Sequence, residues 1–139
     1  MNLRILVCDD SDIVRDVIKL SLQRMGFEVV EARNGAEAVE LCRKNTFACV
    51  IMDVDMPVMN GIDATRQILK EKPETIIVGF TAFTNLVRDM PSAGAKEVIG
   101  KPFSMKELIK IVEKYTNSRN SSGKEAKCSP ALKVEGFQL

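Results

Sequence analysis

Five polar side chains stand where apolar runs stop. Asp9 and Asp10 close the run ILVC, Asp53 closes CVIM, Thr81 follows IIVGF and Lys101 follows VIG. An acid ending a run such as CVIM has no propensity reason to be there. If the run ends converge, two carboxylates about 4 Å apart repel by ~4 kcal/mol at an effective dielectric of roughly 20. Three could not all ionise cheaply without a cation. Oxygen ligands alone select a hard ion, Mg²⁺ or Mn²⁺. The charge of Lys101 and the hydroxyl of Thr81 then supply what a tetrahedral oxyanion requires. A carboxylate nucleophile beside a hard cation, a lysine and a hydroxyl has the parts of a phosphoryl-transfer site.

Composition narrows the chemistry further. The 139 residues contain no histidine, which excludes a Ser-His-Asp or Cys-His triad, an imidazole base and a histidine metal site. The chain therefore cannot itself be the histidine that donates or relays a phosphoryl group. Its four cysteines, Cys8, Cys42, Cys49 and Cys128, have no CxxC spacing. The first three lie in apolar surroundings and read as buried reduced thiols, as expected in the cytoplasm. With 20 basic and 19 acidic side chains there is no basic surplus for nucleic acid. The longest apolar runs are too short to span a membrane, and the acids at positions 9 and 10 come too early for a secretory signal.

The elements that must position these residues alternate along the chain. Apolar runs at 4–9, 27–32, 47–53, 75–81 and 97–100 read as strands. Between them, Val14, Val17, Ile18, Leu22 and Met25 recur at helical spacing up to Gly26. Gly35, Ala38, Val39 and Cys42 mark a second helix, and Thr65, Ile68 and Leu69 a third over 62–70. A fourth is expected to be short or broken, from Thr84 to about Met90, because Pro91 interrupts it. In the last helix, Ser104 and Glu107 form a capping box before the stripe Met105, Leu108, Ile109 and Val112. Five strand–helix units imply a doubly wound α/β fold, a five-stranded parallel sheet with helices on both faces. The first, third and fourth runs are the most apolar and belong in the centre, which matches the flavodoxin-like order 2-1-3-4-5. In such a sheet ligands bind beyond the carboxyl ends of the strands, where all five polar residues fall. Residues 1–115 read as one domain, and the polar stretch 116–139 as a disordered tail.

The stretches ILVCDDS (5–11), VIMDVDMPVMNG (50–61), FTA (80–82) and GKPF (100–103) closely resemble the receiver domain of two-component response regulators, of the single-domain chemotaxis-regulator type. The resemblance implies that Asp53 accepts a phosphoryl group. It also implies that Asp9, Asp10, Asp53 and the backbone carbonyl of Asp55 hold Mg²⁺ (or Mn²⁺), and that Thr81 and Lys101 hold phosphoryl oxygens. Ala82 matches the small position that leaves room for the phosphoryl group. Pro102 matches a proline, usually preceded by a cis bond, that orients Lys101, while Pro57 and Gly61 shape the loop after the acceptor. The implied donor is a sensor histidine kinase or a histidine phosphotransfer protein, and the implied output is a change in binding to a downstream protein target. A stand-alone, cytoplasmic, non-enzymatic switch is the expectation, with no nucleic-acid or membrane partner.

The chain also departs from the family pattern. Val98 stands where Tyr or Phe is usual, so a switch read through ring burial is not available in that form. Only 20 positions separate Thr81 from Lys101, fewer than the family spacing. Asp55 and Phe83 occupy positions that tune attack of water on the phosphorylated aspartate. Other functions are conceivable. A receiver that has lost phosphorylation would act as a docking module. Asp53-Val54-Asp55 also fits the DxD of a haloacid-dehalogenase-like phosphatase, although Met56-Pro57 does not. A flavin carrier would need a phosphate cradle where DDSD stands.

Overall fold

A computed structural model describes residues 3–54, 56, 59–81, 89–100 and 104–120. The strands are β1 (Arg4–Cys8), β2 (Glu28–Ala32), β3 (Cys49–Asp53), β4 (Ile77–Thr81) and β5 (Glu97–Gly100). The helices are α1 (Asp12–Arg24), α2 (Gly35–Lys44), α3 (Gly61–Glu71), α4 (Asp89–Ala93) and α5 (Met105–Asn120). All strand pairs are parallel, and the order is β2-β1-β3-β4-β5, as the run hydrophobicities imply.

Burial follows from that order. Nearly every residue of β1, β3 and β4 is buried, whereas β2 and β5 are half-exposed edges. Side chains alternate between two cores, as a pleated strand requires. Leu6, Cys8, Val50, Met52 and Ile77 face one side, with Ala38, Val39 and Cys42 of α2 and Ala64 and Ile68 of α3. Ile5, Val7, Ile51, Val78 and Phe80 face the other, with Ile18 and Leu22 of α1 and Leu108 and Val112 of α5. Each Val, Leu, Ile, Met or Phe among them contributes roughly 1.5–3 kcal/mol by leaving water.

Helix starts are fixed by side chains at the carboxyl edge of the sheet. Ser11 Oγ accepts from Val14 N (3.3 Å), Asn34 Oδ1 from Glu37 N (2.8 Å) and Asn60 Oδ1 from Asp63 N (2.9 Å). Ser104 Oγ likewise accepts from Glu107 N (3.0 Å). These caps set how far each connecting loop extends past its strand. At the opposite edge, Gly26 with φ 96° ends the α1 turn, a conformation that favours glycine.

Three expectations need correction. On α1 the inward line is Arg15, Ile18 and Leu22, while Val17 and Met25 are exposed. Apolarity alone selected the wrong partners for Ile18 and Leu22, because an arginine with acceptors on three sides can be buried in place of an aliphatic residue. Pro91 does not end a helix but lies within α4. The expected start of that helix at Thr84 lies outside the described residues. Finally, α5 continues through residues 116–120, so the ordered chain passes the composition boundary at Tyr115. Thr116 is buried there, and its hydroxyl donates to the Val112 carbonyl at 2.9 Å.

The edge strand β5 is tied to α5 by Glu97, whose Oε2 accepts from Lys114 Nζ (2.7 Å) and the Tyr115 hydroxyl (2.9 Å). Burial alone would raise the Glu97 carboxyl, but the Lys114 and Tyr115 hydrogen bonds outweigh it and hold it below its ordinary 4.5. A folded-state depression contributes stability above the unfolded value and loses it as pH falls through the folded value. Glu97→Gln is therefore expected to cost about 1 kcal/mol at pH 7. That difference should shrink below about pH 4.5. Urea unfolding of both proteins across pH checks this.

Candidate functional site

The parallel register brings the sequence-distant acids together. Cys8 is level with Met52 and Asp53 with Phe80, so one further residue on β1 sets Asp9 beside Asp53. Asp53 is the last residue of β3, and Val54 N donates to the Phe80 carbonyl (3.0 Å), which prolongs the pairing past it. Thr81, the last residue of β4, is buried one position further on. Asp9 is held on three sides. Its N–H donates to the Ala32 carbonyl (3.1 Å), its Oδ1 accepts from Ser11 N (2.7 Å), and its carbonyl accepts from Arg15 Nη1 (2.7 Å).

Carboxylate oxygens of Asp9, Asp10 and Asp53 all lie within 4.8 Å of one another. Asp9 and Asp53 are 1% and 2% exposed, whereas Asp10 opens to solvent. At this spacing each ionised pair repels by at least roughly 3 kcal/mol at an effective dielectric of about 20. Their field reaches the neighbouring Cys8 thiol. Burial first, then the Asp53 and Asp9 charges, push that thiol far above its ordinary value. Cys8 Sγ donates to the Asn34 carbonyl (3.3 Å) and stays a protonated, unreactive packing group. Burial likewise pushes Cys42 up to about 11. Both fit the structural reading of these cysteines.

The donor set suits a small hard divalent ion. Its ligands are oxygens only, two of its acids are fixed by burial, and its solvent-facing side leaves positions for water. Of the other residues singled out by sequence, Asp55, Pro57, Ala82, Phe83, Lys101 and Pro102 lie outside the described residues. Val98 is half-buried against the core formed with α2 and α3, with Gly79 level with it on β4.

The chain between β3 and α3 is pinned at both ends. Gly61 N donates to the Val54 carbonyl (2.9 Å), and Gly35 N at the start of α2 donates to the Met59 carbonyl (3.0 Å). A Cβ at Gly61 would strike the Asp53 carbonyl and approach Val54 Cα to 2.9 Å. Glycine is thus required by close approach to the end of β3 itself.

A family comparison decides the identity. The pattern of the response regulator receiver domain matches residues 5–113. The chain belongs to this family. A receiver is a phosphoacceptor switch rather than a conventional enzyme, and the phosphatase and flavin readings fall away. The receiver is 41% identical over 112 residues to the transcriptional regulatory protein SrrA of Staphylococcus aureus. That match covers 78% of this chain and 46% of SrrA, so the chain spans about half the length of its curated relative. Among solved structures, the response regulator TrrA of Thermotoga maritima, in complex with Mg²⁺ and BeF, superposes with a TM-score of 0.76 at 35% identity. The alignment covers 83% of this chain and 99% of TrrA. The receiver domain of a sensor histidine kinase from Pseudomonas aeruginosa, with magnesium in its active-site cleft, gives 0.79 at 26% identity. It covers 85% of this chain and all of that one, 100%.

Sequence reading missed Arg15 and Glu31, which meet behind Asp9 (Arg15 Nε to Glu31 Oε1, 3.1 Å). The available signal was Arg15 at the spacing of Ile18 and Leu22, a charge in line with two core residues. Gly61→Ala is expected to destabilise the receiver by roughly 1–3 kcal/mol, because backbone rather than a flexible side chain blocks the new methyl group. It should also weaken Mg²⁺ binding by displacing Asp53. Urea unfolding and a cation titration of the same protein check both effects.

Proposed function

We propose that this receiver accepts a phosphoryl group on Asp53 from a phosphohistidine donor and signals through phosphorylation-dependent protein binding. The observation that carries this reading is the meeting of three carboxylates at the end of a buried strand. Such a cluster is costly unless a cation offsets its charge, and a cation held there would also receive the phosphoryl oxygens. In the transfer, an Asp53 oxygen attacks phosphorus. The N–P bond of the donor breaks, its electron pair stays on the imidazole nitrogen, and a carboxyl–phosphoryl anhydride forms on Asp53. Asp9, Asp10, Asp53 and the Asp55 carbonyl would hold Mg²⁺, which when bound neutralises charge on the transferring phosphoryl oxygens. Thr81 donates a hydrogen bond to one phosphoryl oxygen and Lys101 pairs with another, beside the small Ala82. Phe83 shields the anhydride from water, while Asp55 favours the metal or orients the attacking water. The donor is a sensor histidine kinase or histidine phosphotransfer protein, and the reaction belongs to the cytoplasm, where such donors are phosphorylated. No helix among the described residues is long and apolar enough to cross a membrane.

Incubation with a small acyl phosphate and Mg²⁺, followed by intact mass and peptide mapping, tests this directly. Wild type should gain one phosphoryl group on Asp53, and Asp53→Asn or chelation of Mg²⁺ should abolish the gain. Equal inertness of wild type and Asp53→Asn would leave a docking module without phosphorylation.

The donor's approach is suggested by α1. Ile13, Val17 and Leu20 are 76%, 49% and 57% exposed at i, i+4 and i+7 spacing, on the helix that begins beside Asp10. An apolar stripe of this kind at the mouth of the site suits a protein donor. Ile13→Asp with Leu20→Asp is expected to slow transfer from a phosphohistidine protein by about tenfold or more. Labelling by the small acyl phosphate should remain at the wild-type rate. Parallel time courses with the two donors distinguish these effects.

A further inference from the structure

We infer that Arg15 is a positioning residue for the cation-binding pair Asp9–Asp10, acting through the Asp9 carbonyl rather than through its charge. The inference rests on the proposed role of those acids. Arg15 is 5% exposed, although it lies only six positions after Asp9 and three after the solvent-facing Asp12. Its guanidinium meets three acceptors: the Asp9 carbonyl (Nη1, 2.7 Å), Glu31 Oε1 (Nε, 3.1 Å) and Asp12 Oδ1 (Nη2). Glu31 is itself fixed, since its second oxygen accepts from Lys19 Nζ (3.0 Å). The Lys19 and Arg15 hydrogen bonds outweigh burial and hold its carboxyl below the ordinary range.

The Asp9 carbonyl belongs to the peptide plane that carries Asp10 N, because a peptide unit is rigid. Fixing that oxygen sets the orientation of the whole plane, and hence the direction in which Asp10 leaves β1. The Asp9 side has its own restraints, with N–H on Ala32 and Oδ1 on Ser11 N. Asp10 is exposed, and among the described residues the Arg15 hydrogen bond to the Asp9 carbonyl restrains the peptide that precedes it. The clamp spans three elements, with Arg15 on α1, Glu31 on β2 and the carbonyl at the end of β1. It therefore holds the β1–α1 loop against the sheet edge.

Two alternatives compete with this role. One is long-range electrostatics, in which Arg15 would temper the acidic cluster. Its charge, however, is matched locally, as Arg15 and Lys19 face Asp12 and Glu31, two cations against two anions. A neutral four-residue group leaves little net field at Asp10 and Asp53. The other is simple packing beneath α1, which would give a stability effect with no change at the acids. A planar fork that reaches three acceptors is geometry that lysine cannot reproduce.

The test uses the full chain and Mn²⁺ as the probe, with free Mn²⁺ followed by electron paramagnetic resonance and stability by thermal unfolding. Arg15→Met, Arg15→Lys and the packing control Ile18→Val are compared with wild type and Asp10→Asn. Arg15→Met is expected to raise the Mn²⁺ Kd by roughly 10- to 100-fold. Arg15→Lys, which keeps the charge, should fall between Arg15→Met and wild type. Ile18→Val should lose stability and keep the wild-type Kd. Acyl-phosphate labelling of Arg15→Lys should be slow at low Mg²⁺ and recover towards wild type as Mg²⁺ is raised, a split that lost packing would not produce. Wild-type Kd in the folded Arg15 variants overturns the inference, and Arg15→Lys decides the matter if Arg15→Met does not fold. Wild type and Asp10→Asn binding Mn²⁺ equally poorly would instead overturn the reading of the acidic site on which the inference stands.

Discussion

The dominant constraint in this molecule is the confinement of three carboxylates within 4.8 Å at one end of a buried sheet. Their mutual repulsion opposes folding, so the surrounding structure must hold them there by other means. Two of the three are buried and cannot relax into solvent. The restoring forces are the buried apolar residues of β1 and β3, the parallel register that sets the two strand ends level, and the backbone bonds that continue past each strand end. What results is a site poised for a cation, because a positive charge turns an unfavourable cluster of carboxylates into a favourable one.

The scaffold assembles the site by terminating its elements in the right places. Ser11, Asn34 and Asn60 cap the helices that follow β1, β2 and β3, and so limit how far each loop can wander. Gly61 and Gly35 admit backbone-to-backbone approach around the loop after Asp53, an approach any side chain would block. Arg15 and Glu31 brace the loop after β1 from behind. These contacts are polar and directional, while the two cores on either side of the sheet provide the bulk of the favourable free energy. The division of labour separates stability, which is spread over many apolar contacts, from geometry, which depends on a few hydrogen bonds.

Much of this was legible in the chain. The apolar runs marked all five strands, their ranking by hydrophobicity placed the central three, and the acids at their ends marked the site edge. The face of α2 and the cap and stripe of α5 were read correctly from periodicity. Other features were not legible, each for a physical reason. Arg15 was not singled out, since nothing local says that Glu31 and the Asp9 carbonyl wait beneath it. Val17 and Met25 looked like core, because helical spacing identifies a face without stating which of two adjacent lines turns inward. Pro91 looked like a helix stop, yet α4 runs through it to Ala93. The polar residues 116–120 looked like tail, yet a buried Thr116 that bonds back to Val112 carries α5 past Tyr115.

By itself, the amino-acid sequence determined the order of elements, the two-sided burial of the central strands and the residue types available for chemistry. Those properties follow from local pattern and composition, which a linear reading can access. Only the tertiary structure decided that Asp9 and Asp53 stand level, that Asp10 faces solvent while its neighbours do not, and that an arginine supports the loop between them. Such facts depend on register and on contacts between distant segments, where one residue of slip or one buried fork changes the outcome and leaves no periodic trace.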